Sequence, residues 1–405
     1  MPVQTSRRPP VLESSGDPER AAATTVPTRP GKGGKTGGGP AKKRSRRKDP
    51  LWARLTLIFG AVLMMTSGVA IVGSKALISK ATGNIAQRNL IGDAGKSDAE
   101  GGGNLDGPID MLLLGVDARE RWAADDVRAD SIIVLHIPAT HDQAYLISIP
   151  RDTEAQIPAF KTSGYPGGVD KINAAFQAGA RNGGGWEGGA QLMAATIKKM
   201  TGISFDGAAI INFGGFKNVI EALGSVRICV KQEVTSIHMS YVDGKPMWNA
   251  DAKKTGKPMK PVVHKKGCRE MQGWEALDYS RQRKTLKNGD YDRQQNQQQL
   301  IKAMAKKATQ NGTLTNPLKL NELITAAGKA FILDVGGVPV ADFVFTMRGV
   351  TGNDLVMLKT NGGTFHGDGS RETLSQETLD MFHALKQDKL AEFVFANPQV
   401  ISSRT

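Results

Sequence analysis

Three short apolar runs, Ile109–Val116, Ser131–Ile137 and Ala144–Ile149, stand out along the chain. Each is nearly continuous and rich in β-branched residues, the pattern of a strand buried on both faces. The link Pro138–Gln143 is short enough for a tight antiparallel turn, so the three runs read as an up-down-up meander. Downstream, helical spacing of apolar residues predicts helices near 172–180, 188–200, 214–223, 291–309, 317–330 and 376–394. Further strands are expected near 207–213, 225–234 and 355–360. The sum is an α/β fold, an αβα sandwich whose central mixed β-sheet is covered by helices on both faces.

One apolar run has a different character. Leu55–Gly73 holds nineteen residues without a charge, bracketed by Arg54 and Lys75. At about 1.5 Å per residue it nearly spans a hydrocarbon core of about 30 Å, which predicts one N-terminal transmembrane helix. Six basic residues between Lys42 and Lys48 precede it and place the N-terminus in the cytoplasm. A fifty-residue leader is too long for an ordinary cleavable signal, so the segment reads as an uncleaved signal-anchor. The expected organisation is a disordered basic cytoplasmic tail over 1–50 and the anchor over 51–74. A spacer over 75–107, a catalytic domain over 108–397 and a C-terminal tail over 398–405 follow. Everything after the anchor is then extracytoplasmic.

Charge changes the picture only once it is located. The 405 residues carry a net charge of +14, but residues 1–54 alone hold 13 Lys and Arg against 4 Asp and Glu. The basic excess therefore lies in the tail rather than on a folded face, which argues against a nucleic-acid partner. Gly34-Lys35-Thr36 imitates the end of a phosphate-binding loop, but Arg29 stands where its first glycine belongs. Asn311-Gly312-Thr313 matches a glycosylation sequon and is read as a chance occurrence. The only two cysteines, Cys229 and Cys268, are expected to pair as a disulfide outside the cytoplasm.

The candidate chemistry sits at the strand ends. Asp117 and Arg119 follow the first run, Arg128 and Asp130 precede the second, and Arg151-Asp152 follow the third. In a meander these three positions share one edge of the sheet. Carboxylates there suit Mg²⁺ or Mn²⁺ completed by substrate phosphate, and arginine forks match phosphate oxygens, so the set describes a diphosphate site. A second basic cluster holds Arg281, Arg283 and Lys284, followed by Gly289–Arg293. The apolar stripe of the next helix, extended backwards, turns Gln297 and Arg293 inward, where they need an anionic ligand or an internal carboxylate such as Asp290 or Asp292. Lys171 opens a helix after a Gly-rich loop and is a candidate ligand contact or a solvated helix start. His136 lies inside a strand and is read as a core residue rather than a base.

These residues also carry a resemblance. LLLGVDAR (112–119), RADS (128–131), SIPRDT (148–153), KINAAF (171–176), ALDYSRQR (276–283) and GDYDR (289–293) with Gln297-Gln298 follow in order. In order and spacing they resemble the LytR-CpsA-Psr family of bacterial cell-envelope proteins, over roughly residues 109–310. The resemblance implies a phosphotransferase that moves a glycopolymer from a polyprenyl-diphosphate carrier onto peptidoglycan, forming a phosphodiester with Mg²⁺ assistance. It implies Asp117 and Asp130 as metal carboxylates and Asp117, Arg119 and Arg151 as catalytic groups, Asp117 being the first candidate for the base. Arg128, Arg151, Lys171, Arg281, Arg283, Arg293 and Gln297 become the diphosphate grip, and the lipid occupies an apolar channel within the sandwich. Asn296 stands where the family often has Arg, which removes a positive charge at the rim. Two envelope cysteines resemble the actinobacterial branch. The rivals are a membrane-anchored polyprenyl-diphosphate phosphatase using the same residues, and a non-catalytic cell-wall regulator.

Overall fold

The computed structural model describes residues 86–95, 105–116, 127–310, 331–338, 350–369 and 371–402, with isolated positions between 319 and 346. The tail, the expected anchor Leu55–Gly73, Asp117, Arg119, Asn311 and most of the helix expected at 317–330 lie outside the described residues. Among the described residues no helix is long and apolar enough to cross a membrane.

The chain runs through β1 (Ala86–Gln87), β2 (Ile109–Val116), β3 (Ala129–Ile137), β4 (Ala144–Ser148), β5 (Glu154–Ile157) and β6 (Gly168–Lys171). Helices α1 (Ile172–Ala180) and α2 (Gly185–Thr201) follow, then β7 (Gly207–Asn212), α3 (Phe213–Ala222), β8 (Val226–Val230), β9 (Val234–Val242) and β10 (Lys245–Trp248). Next come α4 (Asn249–Lys254), β11 (Lys260–His264), β12 (Gly267–Met271), α5 (Gly273–Arg281) and α6 (Asp290–Thr309). The chain closes with β13 (Phe331–Asp334), β14 (Leu355–Leu358), α7 (Gln376–Lys386) and α8 (Leu390–Ala396).

The main sheet has the order β1-β13-β7-β2-β3-β4-β14. It is mixed: β2 pairs antiparallel with β3 and β3 with β4, while β2 pairs parallel with β7 and β4 with β14. The expected meander is therefore present, turned at His141 with φ 51°. Alternation along the central strands sends residues to two cores. Leu112, Leu114, Ile132 and Val134 pack with Phe176 of α1 and Leu192 of α2. Met111, Ile133 and Leu146 face the other way, where Ile301 and Ala305 of α6 pack on them. Such two-sided burial is why these strands carry no polar alternation.

Several expectations need correction. The helix expected at 376–394 is two helices, broken at Asp388, whose φ is 55°; the polar run Lys386–Lys389 offers no apolar stripe to continue it. The strand expected at 225–234 is β8 and the start of β9, with a break between Val230 and Val234. The small sheet β10-β9-β11, the β5-β6 hairpin and α5 were not expected at all. In β9 and α5 the inward positions include Ser236, Asp278 and Ser280, all buried, so apolar periodicity is broken where these elements are most enclosed. Cys229 and Cys268 face each other across the antiparallel β8-β12 pair and form a disulfide.

Candidate active site

The meander register places Val116 opposite Ala129 and Ser148 opposite Ile133, so the end of β2, the start of β3 and the end of β4 share one edge. Gly115 approaches β3 so closely that a Cβ there would lie 2.8 Å from Ser131 Cβ, which restricts the position to glycine. Arg151, just beyond β4, donates from Nη1 to Asp130 Oδ1 at 2.9 Å. Two further elements reach the same edge. The C-terminal end of α5 brings Arg281, Arg283 and Lys284, and the first turns of α6 bring Asp290, Arg293 and Gln297 on one helix face. Gly289 starts α6 with φ 52°, a backbone that favours glycine.

Asp290 is the centre of the cluster. Its Oδ1 lies 2.9 Å from Arg293 Nη2, 3.7 Å from Arg151 Nε and 3.8 Å from Arg283 Nη1. Gln294 donates to its Oδ2 at 3.1 Å. Arg293 also donates to the Asp130 carbonyl at 2.7 Å. Burial works against the Arg151 guanidinium charge, but Asp130, Asp290 and Asp152 outweigh it and hold its pKa above the ordinary value. The Nε groups of Arg151 and Arg293 are shielded from solvent and have no hydrogen-bond partner among the described residues. An oxyanion would satisfy such donors.

These groups enclose a cavity of about 170 Å³ lined by Asp130, Arg151, Arg281, Arg283, Arg293 and Gln297, with Ile237 and His238 of β9 on its far wall. Gln297 accepts from Ser131 Oγ at 2.9 Å, and Arg281 lies 5.3 Å from the Trp248 ring centroid. A second, apolar cavity of about 40 Å³ lies between the sheet and α5–α6 and shares Gly115, Ser131, Arg281 and Gln297 with the first. Leu113, Ile133, Phe216, Leu277, Leu300 and Ile301 line it. A charged chamber thus adjoins an apolar one across the four residues they share.

Of the residues picked out from sequence, Asp130, Arg151, Arg281, Arg283, Arg293 and Gln297 come together here. Arg128 does not line the cavity; its Nε donates to Gln177 of α1 at 2.9 Å. Lys171 is one carboxylate removed, bound to Asp152 at 2.9 Å. Asn296, expected at the rim, is buried and lines neither cavity, because one helical position rotates it about 100° from Gln297. His136 is fully buried in β3 beside Asp110, at 2.7 Å. Sequence reasoning missed Ile237, His238 and Trp248, and it weighed Asp290 only as a private partner for Arg293. The three-then-four spacing Asp290, Arg293, Gln297 was the available signal for Asp290.

The C-terminal segment, which carries no readable motif, braces this edge. Glu372 is buried and accepts from Tyr291 Oη and, at 3.2 Å, from Asn361 Nδ2. Its backbone bonds to Asp152 and Glu154. Burial raises the Glu372 pKa above 4.5, against the hydrogen bonds from Tyr291 and Asn361, which lower it. A raised acid binds its proton more tightly folded than unfolded, so stability falls as pH rises from about 4.5 through the folded value. Glu372→Gln mimics the protonated form; its melting temperature should gain on wild type as pH rises across that window. A pH-independent difference would refute this.

Residues 76–387 match the model of the LytR_cpsA_psr family. The chain belongs to this family. It is 31% identical over 237 residues to the probable cell wall biosynthesis protein LcpB of Corynebacterium glutamicum, an alignment covering 56% of this chain and 48% of LcpB. It is 27% identical over 287 residues to the polyisoprenyl-teichoic acid–peptidoglycan teichoic acid transferase TagV of Bacillus subtilis, covering 67% of this chain and 65% of TagV. The chain thus spans about half the length of the first relative and just under two thirds of the second. The crystal structure of protein gbs0355 from Streptococcus agalactiae shares the fold, with a TM-score of 0.54 at 22% identity over 70% of this chain and 88% of that one. Membership agrees with the ordered LytR-CpsA-Psr motifs, and the Corynebacterium relative with the actinobacterial branch.

Proposed function

We propose that this chain is a phosphotransferase that moves a cell-wall glycopolymer from a polyprenyl-diphosphate carrier onto a peptidoglycan hydroxyl. The observation that carries the reading is the gathering of Arg151, Arg283 and Arg293 around the single carboxylate of Asp290, beside a charged cavity that shares Arg281 and Gln297 with an apolar one. Such an edge suits a headgroup with two phosphates. The names of LcpB and TagV support cell-wall chemistry of this class.

In the proposed reaction an acceptor hydroxyl attacks the phosphorus nearer the polymer and gives its proton to an aspartate near the metal, Asp117 being the first candidate. The new O–P bond forms as the bridging P–O bond breaks, and polyprenyl phosphate leaves. Arginines fixed before the reaction stabilise charge spreading over the phosphoryl oxygens, so positioning and electrostatics supply most of the rate. Gln297 and Arg281, shared by both cavities, hold the junction between headgroup and tail. Mg²⁺ or Mn²⁺ would be held by Asp130, with Asp117 contributing from outside the described residues, and would neutralise diphosphate oxygens. What supports this is that Asp130 lines the cavity, and that Mg²⁺ typically takes one or two carboxylates plus phosphate oxygens.

The domain works outside the cytoplasmic membrane, tethered by the Leu55–Gly73 anchor with its N-terminus inside. The Cys229–Cys268 disulfide supports an oxidising compartment. Its partners are the lipid-linked glycopolymer, peptidoglycan and the membrane, and no nucleic acid. The test supplies the full chain in detergent with a polyprenyl-diphosphate-linked saccharide, with and without glycan acceptor. Acceptor-dependent phosphodiester formation is expected. Release of phosphate with water as the sole acceptor would establish the phosphatase instead, and no turnover of either kind would overturn the reading.

A further inference from the structure

Next to the residues that line the charged cavity lies a buried polar lattice whose side chains do not line it. Asp278 of α5 is fully buried; its Oδ2 lies 2.7 Å from His264 Nε2, and its Oδ1 accepts from Ser236 Oγ at 2.9 Å. Gln282, also fully buried, closes the lattice. Its Nε2 donates to Asp278 Oδ1 at 3.0 Å and Ser236 Oγ at 3.1 Å, and its Oε1 accepts from Ile237 N at 3.2 Å.

The place of Gln282 in the chain gives this lattice a consequence. It ends α5 in an extended conformation, φ −63° and ψ 137°. Gln282 turns inward and is buried, while its two neighbours, Arg281 at the end of α5 and Arg283 just beyond it, both line the cavity. Its other bond, to Ile237, fixes the opposite wall, since Ile237 and His238 line the same cavity. One carboxamide thus ties the two sides of the chamber at a set separation.

Resting on the reading proposed above, we propose that Gln282 is a positioning residue for the diphosphate grip, acting through Arg281 and Arg283. The hydrogen bonds of a primary amide suit this role. It donates into an acid and a hydroxyl while accepting from a strand N–H, which neither a carboxylate nor a hydrocarbon of the same size can do together. Misplacing two planar guanidinium forks weakens capture of the donor more than it weakens chemistry at the captured donor.

Farnesyl diphosphate serves as the probe, titrated into the full chain in detergent. Gln282→Met should raise its dissociation constant about tenfold in a chain that stays folded at the assay temperature, with a lower melting temperature because Asp278 and the Ile237 N–H lose a buried partner. In turnover, KM for the lipid donor should rise about tenfold while kcat stays within about threefold. With Arg283→Ala already in place, the same change should cost no more than about threefold, because interacting sites are non-additive. If Gln282→Met fails to fold, Gln282→Glu replaces it. That variant sets a second acid against Asp278, so the same affinity loss is expected at neutral pH and its relief as pH falls. Unchanged affinity in the Gln282 variants while Arg283→Ala weakens binding would overturn the inference. So would equal losses with and without Arg283. If Arg283→Ala also leaves farnesyl diphosphate binding intact, the diphosphate reading itself has failed.

Discussion

Arg151→Ala should lower kcat/KM for glycopolymer transfer by about 10²–10³-fold, the scale of losing one preorganised donor aimed at developing charge. Arg151 is the side chain that joins the two halves of the site. It reaches Asp130 on β3 at 2.9 Å, Asp152 at 3.7 Å and Asp290 on α6 at 3.7 Å. Its side chain is 19% exposed, so it faces ligand while its surroundings hold it. Arg151→Lys should recover only a minor part of the activity, because an ammonium offers a point charge without the planar fork. Thermal melting separates this loss from unfolding. A properly folded Arg151→Ala chain with transfer within threefold of wild type would remove Arg151 from the reaction.

How much of this site was legible in the sequence follows from what buries each residue. The central strands are covered on both faces, so their sequences are uninterrupted apolar runs, and the meander that aligns Asp130 with Arg151 can be inferred from run lengths and a short link. Arg293 and Gln297 were found by extending an apolar stripe backwards, and both line the cavity. The far wall was invisible for the opposite reason. Ile237 and His238 sit on β9, where the buried apolar positions Val234, Met239 and Val242 are interrupted by buried Ser236, bonded to Asp278. A polar lattice leaves no periodic signature; it exists only between segments distant in sequence. Arg128 shows the limit from the other side: a strand-end arginine is placed at the edge by pattern, but its rotamer chooses Gln177 over the cavity. Asp290 was ambiguous because an acid among arginines reads equally as a private ion pair or as a hub, and only three distances to one oxygen distinguish them.

Asp290→Asn should destabilise the ligand-free protein and make its stability depend on diphosphate. Removing the shared carboxylate leaves Arg151, Arg283 and Arg293 close together, with side-chain exposures of 19%, 33% and 8%. Breaking a buried ion pair from one side costs about 3–5 kcal/mol. Partial exposure screens the charges, so the lower end applies, a fall in melting temperature on the order of 5–10 °C. A bound diphosphate replaces the missing negative charge. It should therefore raise the melting temperature of Asp290→Asn by more than it raises that of wild type, by mass action on a site whose arginines no longer share themselves with Asp290. High salt should shrink the gap between the two proteins by screening the same repulsion. The measurement is a pair of melts, with and without millimolar inorganic diphosphate, for both proteins at two ionic strengths. If the variant melts like wild type, or if diphosphate stabilises both equally, then the three guanidinium groups are neutralised elsewhere. Asp290 would then not be the internal stand-in for the anionic headgroup.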